Sequence, residues 1–578
     1  MKTILMLAIS IAFTPSCKDL PRVPPAKIAL NQLGYYTTEP KIAIVTGETA
    51  AQTFWVISNN KKDTIFTGKL SATIQSANSL LQTKIADFST LTIKGAYYIG
   101  VAGMENSYTF LIDDHVLHQA AVASLKGYYY QRVSMPLEVA YAGKWHRPAG
   151  HPDTAVVIHP SAATTLKPAG TKISTAGGWY DAGDYNKYTV NSGITMGTLL
   201  SAYEDFPEYF NTLNTNIPES NNRVPDLLNE IIYNLRWMLT MQDANDGGVY
   251  NKCTNAAFDG MVMPGVTKAT RYVVQKGTAA TLDFAAVTAQ ASRILKKFNK
   301  ELPGLSDSCL AASEKAWQWA ILNPQVVYDQ DAINKIYTPA ITTGGYGDKT
   351  FDDEYFWAAC ELFATTRNDM YKEPVLKGLD KQIRLPSWAD VQTLGYYTLA
   401  RCKNVLPDKN VDAVKQRIIA FADVYLSHVS SNAFQTVMGT SKRDFVWGSN
   451  AVAANQGILL VNAYLFTSNK KYINAALSNA DYMLGRNATG YCFLTGVGSK
   501  PVMHPHHRPS VADGIVDPVP GLLAGGPNPG MQDRCKYEYT EAETAYNDID
   551  CAYACNEIAI NWNAPFVYLI NALEALIH

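Results

Sequence analysis

The sequence predicts a mainly α-helical protein, a toroid of helices with its site built from loops at one end, preceded by a small β-sandwich. Short apolar or alternating runs broken by Gly, Asn and Asp extend from Lys27 to about Asp114, and such runs are typical of short strands. After His115, apolar residues recur at spacings of three and four, which indicates amphipathic helices. Long segments rich in Gly, Pro and Asn separate these helices, and we expect them to be functional loops.

The first residues of the chain have the layout of a short secretory signal. A basic residue precedes an apolar run from Ile4 to Phe13, and three residues (TPS) separate this run from Cys17. A Cys at this junction is typical of a bacterial lipoprotein, although the Thr-Pro pair departs from the usual residues. We therefore expect a signal peptide over residues 1–17, with Cys17 as the lipidation site.

Residues 18–26 (KDLPRVPPA) are polar and rich in Pro, which suits a stiff tether between an anchor and a folded body. The predicted location is the bacterial cell envelope, with a lipid anchor in the outer membrane on its periplasmic or cell-surface face; plain secretion is the alternative. If Cys17 carries lipid, eight cysteines remain in an oxidising compartment, where they can pair. Their spacing does not set the connectivity, and mostly buried free thiols are an equal alternative.

Charge and aromatic content limit the kinds of partner. Lys and Arg (49 residues) nearly balance Asp and Glu (51), so the chain has no overall field to hold a polyanion such as nucleic acid. The 34 Tyr and 10 Trp residues are a stronger signal, because flat rings with a polar edge suit sugar faces as well as protein cores. We expect a monomer that binds a glycan, binds no nucleic acid and meets a membrane only through its lipid anchor.

Two folded regions are predicted, a β-sandwich over 27–114 and a helical domain over 115–578. In the first region, alternating runs such as Tyr97 to Val101 indicate strands. In the second, the helical pattern is clearest where apolar residues from Leu227 onward follow Pro225 and Asp226, which favour a helix start. Similar Ala-rich helices are predicted over Leu282–Leu295, Glu354–Thr365, Val452–Leu465 and Ile473–Met483.

Two carboxylates lie three residues apart in GGWYDAGDYNKY, residues 177–188. At this spacing Asp181 and Asp184 can converge on one water, and a neighbouring aromatic ring can present a sugar to that water. Asp residues in Gly-rich loops more commonly cap a helix or fix a turn. The pair is therefore a catalytic candidate that this segment alone does not establish.

Three histidines, His504, His506 and His507, lie close together in GVGSKPVMHPHHRPS, and Arg508 follows them directly. Metal binding at this spacing would require Cys or carboxylate ligands nearby, and Arg508 is unfavourable beside a cation. Donors that bind sugar hydroxyls fit the segment better. A solvated basic turn is the alternative.

Glu557 lies in YNDIDCAYACNEIAINWNAP, residues 546–565, where the last apolar helix is expected to begin. A Glu at that place can simply be a favourable charge at the helix N-terminus. Burial among Tyr553, Ile558 and Trp562 would instead disfavour the ionised carboxylate and raise its pKa, which a general acid requires. The segment is compatible with both interpretations.

Together, these segments resemble glycoside hydrolase family 9. The DAGD turn at 181–184, the His506-x-Arg508 step, GLLAGGPN at 521–528 and the spacing of Tyr and Asp residues ahead of Glu557 all match family motifs. The opening IALNQLGYYTTEPKIAIV resembles the immunoglobulin-like module that precedes the catalytic domain in one branch of the family. The likeness covers nearly the whole mature chain and implies an (α/α)6 barrel with its cleft at one end.

The resemblance also implies a role for each residue in an inverting hydrolase of β-1,4-linked glucan. Asp184 would be the general base, Asp181 would help to hold the same water, and Glu557 would be the general acid. His506 and Arg508 would bind the sugar next to the scissile bond. Three aromatic residues would line the cleft: Trp447, which matches a position that stacks on the glucan, Trp562, which stands where relatives often carry a Tyr, and Tyr553.

The chemistry implied by the resemblance requires no cofactor, but relatives carry metal sites. A family calcium site resembles Asp353 and Glu354 of FDDEYFWAAC with Asp390 of SWAD, and oxygen ligands suit this hard cation. An acidic pair on a helix surface explains the first two residues equally well. Zinc is not expected, because AGKWHRPAGH carries Gly143 and Gly150 where cysteine ligands would be needed.

The predicted function is an endo-acting glucanase on a cellulose-like, mixed-linkage or xyloglucan substrate. The first alternative is an exo-acting enzyme of the same family that trims cello-oligosaccharides or glucosaminides, because loop lengths do not settle how many subsites the cleft leaves open. The second is a surface glycan-binding lipoprotein that has lost catalysis. Retention of all three carboxylates argues against this second alternative.

Overall fold

The computed structural model describes residues 22–577. The predicted signal peptide, its Cys17 and the first part of the tether fall outside this range. Within it, no helix combines the length and the apolar character needed to cross a membrane.

The N-terminal region is a β-sandwich of two sheets, ordered β1-β3-β7-β6 and β2-β9-β8-β4-β5. Its strands are β1 (Lys27–Ala29), β2 (Gly34–Tyr35), β3 (Ile42–Thr46), β4 (Thr53–Ser58), β5 (Thr64–Lys69), β6 (Ile74–Gln75), β7 (Gln82–Asp87), β8 (Gly95–Val101) and β9 (Phe110–Ile112). Side chains alternate between the two faces of a strand. In β4, Phe54 and Val56 accordingly enter the shared apolar core, whereas Trp55 between them is only half-buried. The predicted sandwich is confirmed.

The rest of the chain is mainly helical. The helices are α1 (His118–Tyr130), α2 (Val139–Ala142), α3 (Thr189–Asp205), α4 (Pro207–Phe210), α5 (Asp226–Thr240), α6 (Thr278–Leu295), α7 (Leu305–Leu322), α8 (Gln330–Asn334), α9 (Asp352–Thr366), α10 (Lys372–Gly378), α11 (Gln392–Arg401), α12 (Asp408–Leu426), α13 (Ser449–Thr467), α14 (Lys470–Met483), α15 (Arg508–Ala512), α16 (Tyr553–Asn556) and α17 (Ile560–Leu576). The helix predicted to start at Pro225 and Asp226 is α5. The Ala-rich predictions fall within α6, α9, α13 and α14, so these helices are confirmed.

The long helices form an inner and an outer ring. The inner helices are α3, α6, α9, α11, α13 and α17, and the outer helices are α1, α5, α7, α10, α12 and α14. Each outer helix packs on an inner one, the inner helices α3, α6, α9 and α11 pack in succession, and α3 also packs on α17, which packs on α13. A helix that is apolar all round has no face for solvent and belongs in a core, as the buried side chains of α13 and α17 show. This is the predicted (α/α)6 arrangement.

A third sheet lies within residues 140–192 and 242–276, two of the Gly-, Pro- and Asn-rich segments between helices that were expected to be functional loops. Its order is β11-β10-β14-β13-β12, and its strands are β10 (Val156–Ile158), β11 (Lys172–Ile173), β12 (Lys187–Tyr188), β13 (Lys252–Asn255) and β14 (Arg271–Val273). The strands are short and carry buried polar side chains, including Lys187 and Lys252, so they lack the alternating apolar signal. β12 follows the DAGD turn and leads directly into α3.

The described cysteines form one disulfide, between Cys535 and Cys551. The other described cysteines are free, and all except Cys402 are buried. Among the described cysteines, the alternative of mostly buried free thiols is therefore the correct one. The bridge closes a loop that precedes Glu557 in the chain.

The sandwich packs directly on the helical domain. Asn78 Nδ2 donates a hydrogen bond to the Gly439 carbonyl oxygen at 2.7 Å, and Ser76 Oγ donates to Glu543 Oε1 at 2.6 Å. Ile44 of the sandwich and Phe434 of the helical domain share one apolar cluster. The sandwich thereby holds the start of the segment that leads to Glu557.

Candidate active site

The DAGD turn and the segment around Glu557 lie side by side. The Ile560 N–H donates to the Asp181 carbonyl oxygen at 2.8 Å, and Ala182 pairs with Ala559 in an isolated β-bridge. Asp181 is 1% exposed and Asp184 is 5% exposed. Carboxylates from two distant parts of the sequence are therefore brought into one buried centre.

Gly183 allows a close approach that a larger residue would prevent. A Cβ atom at this position would lie 2.1 Å from the His506 carbonyl oxygen. The Gly183 carbonyl oxygen accepts hydrogen bonds from the Arg508 backbone N–H at 3.2 Å and from Arg508 Nη1 at 2.7 Å. The small residue of the turn thus places His506 and Arg508 beside the two aspartates.

Asp184 is held through one of its two carboxylate oxygens. Its Oδ2 accepts hydrogen bonds from Asn186 Nδ2 at 2.5 Å and from the Tyr188 hydroxyl at 3.0 Å. The amide of Asn186 is oriented in turn, because its Oδ1 accepts from Thr254 Oγ1 and from the Asn255 N–H. No described residue donates to Oδ1 of Asp184, so this oxygen can accept a proton from a water.

Asp181 accepts a hydrogen bond at both carboxylate oxygens. Asn191 Nδ2 donates to Oδ1 at 2.6 Å, and the Tyr346 hydroxyl donates to Oδ2 at 2.8 Å. Burial and the neighbouring Asp184 carboxylate raise the pKa of the Asp181 carboxyl, because two buried like charges disfavour each other. The pair therefore resists carrying two negative charges, and Asp184 has the oxygen that is free for a water.

Glu557 lies in an extended segment between α16 and α17, with φ −68° and ψ 155°. The expectation that it opens the last helix is wrong, because α17 begins at Ile560 after a turn held by the DAGD loop. Burial first, then the charges of Asp184 and Asp181, raise the pKa of the Glu557 carboxyl well above its usual range, against an opposing effect of Arg508. Glu557 as a residue is only half-buried, and a raised carboxyl pKa is what a general acid requires.

His506 and Arg508 are held in defined orientations. His506 Nδ1 lies 2.6 Å from the Asp550 carbonyl oxygen, and because a carbonyl only accepts, Nδ1 carries the proton. Its Nε2 is then an acceptor for a sugar hydroxyl. Arg508 donates from Nε to the Asp259 carbonyl oxygen at 2.9 Å and keeps further N–H groups for a ligand. His507, by contrast, is 1% exposed and is part of the core.

The three predicted aromatic residues lie near these groups. The ring of Tyr553 is 5.5 Å, centre to centre, from both Trp447 and His506. Trp447 is 41% exposed, and such an exposed indole face is available to a sugar ring. Trp562 packs on the backbone next to Trp447, because a Cβ atom on Gly448 would lie 2.5 Å from its Nε1. Trp447, Tyr553 and His506 thus form one continuous aromatic surface.

Sequence reasoning missed several residues of this centre. Asn186 and Tyr188 lie in the quoted DAGD segment but were not singled out, although both bind Asp184. Tyr346 lies in a separate Gly-rich segment, TGGYGD at 343–348, and bonds to Asp181. The only signal in the sequence was a Tyr flanked by glycines, a pattern too common to stand alone.

Comparisons with known proteins decide the family. The sequence model of the family Glycosyl hydrolase family 9 matches residues 118–570. The sequence model of the family Cellulase N-terminal ig-like domain matches residues 24–106. The chain belongs to glycosyl hydrolase family 9. The predictions of a glycoside hydrolase that cleaves β-1,4-linked glucan, and of an immunoglobulin-like module before an (α/α)6 barrel, are confirmed.

Several relatives of this family 9 enzyme match nearly its whole length. A xyloglucan-specific endo-beta-1,4-glucanase of Bacteroides ovatus is 46% identical over 99% of this chain and 97% of its own. Endoglucanase D of Acetivibrio thermocellus is 32% identical over 94% of this chain and 83% of its own. A solved structure of a Bacteroides ovatus family 9 protein superposes with a TM-score of 0.91 and 46% identity, covering 95% of this chain and 99% of that one.

The predicted calcium residues lie at the start of α9 and ahead of α11. Glu354 is 1% exposed, and neither of its carboxylate oxygens has an N–H or O–H donor among residues 22–577. Both oxygens of the buried Asp283 in α6 also lack a donor in this range. Burial, then Asp353 and Asp283, raise the pKa of Glu354 well above its usual range. The alternative of a helix-surface acidic pair is therefore wrong for Glu354.

The described residues contain no cluster of three or more His, Cys, Asp or Glu side chains arranged around a metal position. At the place of the family zinc site, His151 Nδ1 is 2.9 Å from the Tyr180 hydroxyl. The nearby carboxylate of Asp153 pairs with Lys187 at 2.7 Å and with Arg271 at 3.0 Å. Because two cationic side chains already neutralise this carboxylate, these residues do not fit a zinc ion.

Proposed function

We propose that this enzyme is an endo-acting, inverting β-1,4-glucanase whose preferred substrate is a xyloglucan. The observation that carries the mechanism is the difference in surroundings between two carboxyl groups, those of Asp184 and Glu557. Asp184 keeps an oxygen free for a water, whereas burial raises the pKa of Glu557 well above its usual range. Pairs of titratable groups whose surroundings push their protonation apart are typical of acid and base assignments.

The proposed reaction is a single displacement. A water held between Asp184 and Asp181 attacks the anomeric carbon while its proton passes to Asp184 Oδ1. Glu557 gives its proton to the glycosidic oxygen as the carbon–oxygen bond breaks, so the leaving sugar departs as an alcohol. His506 and Arg508 orient the sugars at the scissile bond, and the exposed ring of Trp447 stacks on the glucan.

Similarity supports the choice of substrate. The Bacteroides ovatus relative, which is xyloglucan-specific by name, matches this chain from end to end at 46% identity. An endo-acting enzyme cuts within the backbone and lowers the size of the polymer before much product accumulates. An exo-acting enzyme would release one small product from the start.

We expect the purified enzyme to release reducing ends faster from xyloglucan than from mixed-linkage glucan or carboxymethyl cellulose, with products of many sizes at early times. Proton NMR of the first product should show the α anomer from the β-linked substrate, because the proposed centre has no nucleophile that forms a glycosyl-enzyme. A β anomer formed first would contradict the mechanism. A single small product from the outset would support the exo-acting alternative.

Although the three carboxylates are not arranged around a metal position in residues 22–577, we also propose a structural calcium ion held by Asp353, Glu354 and Asp390. The support is the buried Glu354 carboxylate without donors, beside the equally buried Asp283. Two buried acids without cationic partners are costly unless they are protonated or neutralised by a cation. Carboxylate oxygens are the ligands that calcium prefers.

Chelation should therefore lower the melting temperature. An ion at 100 times its dissociation constant stabilises a fold by about 2.7 kcal/mol, so for a domain of this size EDTA should lower the thermal transition by about two to three degrees and added calcium should restore it. Glu354→Gln is the matched control, because it removes one charge of the site and should abolish the response. Equal melting temperatures in EDTA and in millimolar calcium would rule out the ion.

A further inference from the structure

Lys252 is a lysine buried behind the catalytic aspartates. Lys252 is the first residue of β13 and lies opposite Tyr188 of β12 in the antiparallel pair. It is 0% exposed. No described carboxylate comes within ion-pair distance of its ammonium group, since Lys252 takes part in none of the salt bridges of residues 22–577. A buried lysine normally pairs with an acid, so this one requires an explanation.

The Lys252 ammonium group is bound by neutral oxygens of one strap, Thr343–Tyr346, and of Gln330. Its Nζ donates to the Gly344 carbonyl oxygen at 2.5 Å, to Thr343 Oγ1 at 3.0 Å and to Gln330 Oε1 at 2.6 Å. All three protons of an ammonium group are thus used. The lysine fixes the backbone of the strap at Gly344.

The strap in turn contacts both catalytic aspartates. The Gly344 N–H donates to the Tyr188 hydroxyl at 3.1 Å, and that hydroxyl donates to Asp184 Oδ2 at 3.0 Å. Two residues further on, the Tyr346 hydroxyl donates to Asp181. The peptide groups around Gly344 therefore connect Lys252 to Tyr188 and Tyr346, the tyrosines whose hydroxyls donate to the two aspartates.

We infer that Lys252 is a positioning residue of the catalytic centre: it fixes the strap that orients Tyr188 and Tyr346, and its positive charge interacts favourably with the Asp184 carboxylate. The inference rests on the proposed role of Asp184 as the base. Lys252 acts through the residues that it binds and through the electrostatic effect of its charge. It touches neither the substrate nor the water.

The surroundings of Lys252 support an electrostatic role. The groups that face it are the rings of Tyr188 and Tyr328, at 5.5 and 5.6 Å from Nζ to the ring centres, and Asp184 is the one carboxylate whose charge acts on its pKa. Burial lowers the pKa of Lys252 to about 7, against the effect of Asp184. Below that pH the side chain is cationic, and its charge then attracts the Asp184 carboxylate.

The test is the pH dependence of kcat/KM for Lys252→Met on xyloglucan, with the wild type beside it. Loss of one positive charge at an effective dielectric of about 20 should move the acidic limb to higher pH by about one unit or more. We expect kcat to fall about tenfold with little change in KM. The deficit should be largest below about neutral pH, where the wild-type lysine carries its charge.

Lys187→Met is the matched control. Lys187 is also buried and lies in the neighbouring strand, but its ammonium pairs with Asp153 at 2.7 Å. This variant should lower the melting temperature and leave the acidic limb in place. If Lys252→Met does not fold, Lys252→Gln keeps a donor for the Gly344 carbonyl without the charge.

The role of Lys252 is overturned if a folded Lys252 variant keeps both the wild-type limb and the wild-type kcat, or if both lysine variants move the limb equally. Failure of the proposed function has a different signature, because the wild type itself would then release no product from any glucan.

Discussion

Replacing Glu557 by Gln is expected to abolish hydrolysis of unactivated polysaccharide and to leave binding largely intact. The substitution removes the proton donor with little change in shape, so the leaving alcohol would have to depart as an alkoxide. Burial raises the pKa of the native carboxyl well above its usual range and so favours its protonated form, whereas an amide at the same place has no acidic proton to give. The loss should appear in kcat rather than in KM.

Reducing-end release by Glu557→Gln, together with its affinity for xyloglucan oligosaccharides, checks this expectation. A substrate with an aryl leaving group of low pKa is the internal control, because it needs little protonation and should retain most of its rate. Turnover of polysaccharide above about a tenth of the wild type would contradict the assignment, given the usual size of acid–base contributions. Loss of binding along with turnover would indicate a damaged cleft instead.

The two folded regions could be predicted from the sequence because apolar residues recur in each of them at a regular spacing. The alternating strands of the sandwich and the helix that starts at Asp226 both appear where the pattern places them. The third sheet escaped detection because its strands are short and hold buried lysines. Lys187 and Lys252 have partners distant in sequence that no local pattern shows.

The candidate site was predictable only where its chemistry is concentrated in short motifs. Asp181 and Asp184 share one turn, and Glu557 has a characteristic segment, so these residues could be proposed from the sequence. The local structure of Glu557 was not, because Ala559, not Glu557, precedes the first turn of α17. Tyr346 was missed for a different reason: it reaches Asp181 across a tertiary contact, and its Gly-rich segment resembles any surface turn.

Asp184 and Asp181 should differ in what their loss costs, although they lie three residues apart in one turn. Asp184 has an oxygen without a donor and so can take a proton from water, whereas both oxygens of Asp181 already accept hydrogen bonds from Asn191 and Tyr346. Like charges in one buried site titrate as a unit, so one member can act as base only while the other mainly orients the water. We expect Asp184→Ala to fall to the limit of detection and Asp181→Ala to keep a small residual rate.

Azide separates the two roles directly. As a small anion that attacks without a base, it should restore part of the activity of Asp184→Ala, with a glycosyl azide of inverted configuration as product. It should do little for Asp181→Ala, in which the base is still present and the water has lost only one partner. Chloride at the same ionic strength is the control for salt effects. Rescue of Asp181→Ala without rescue of Asp184→Ala would show that the two roles must be exchanged, and that the hydrogen bonds from Asn186 and Tyr188 orient the helper rather than the base.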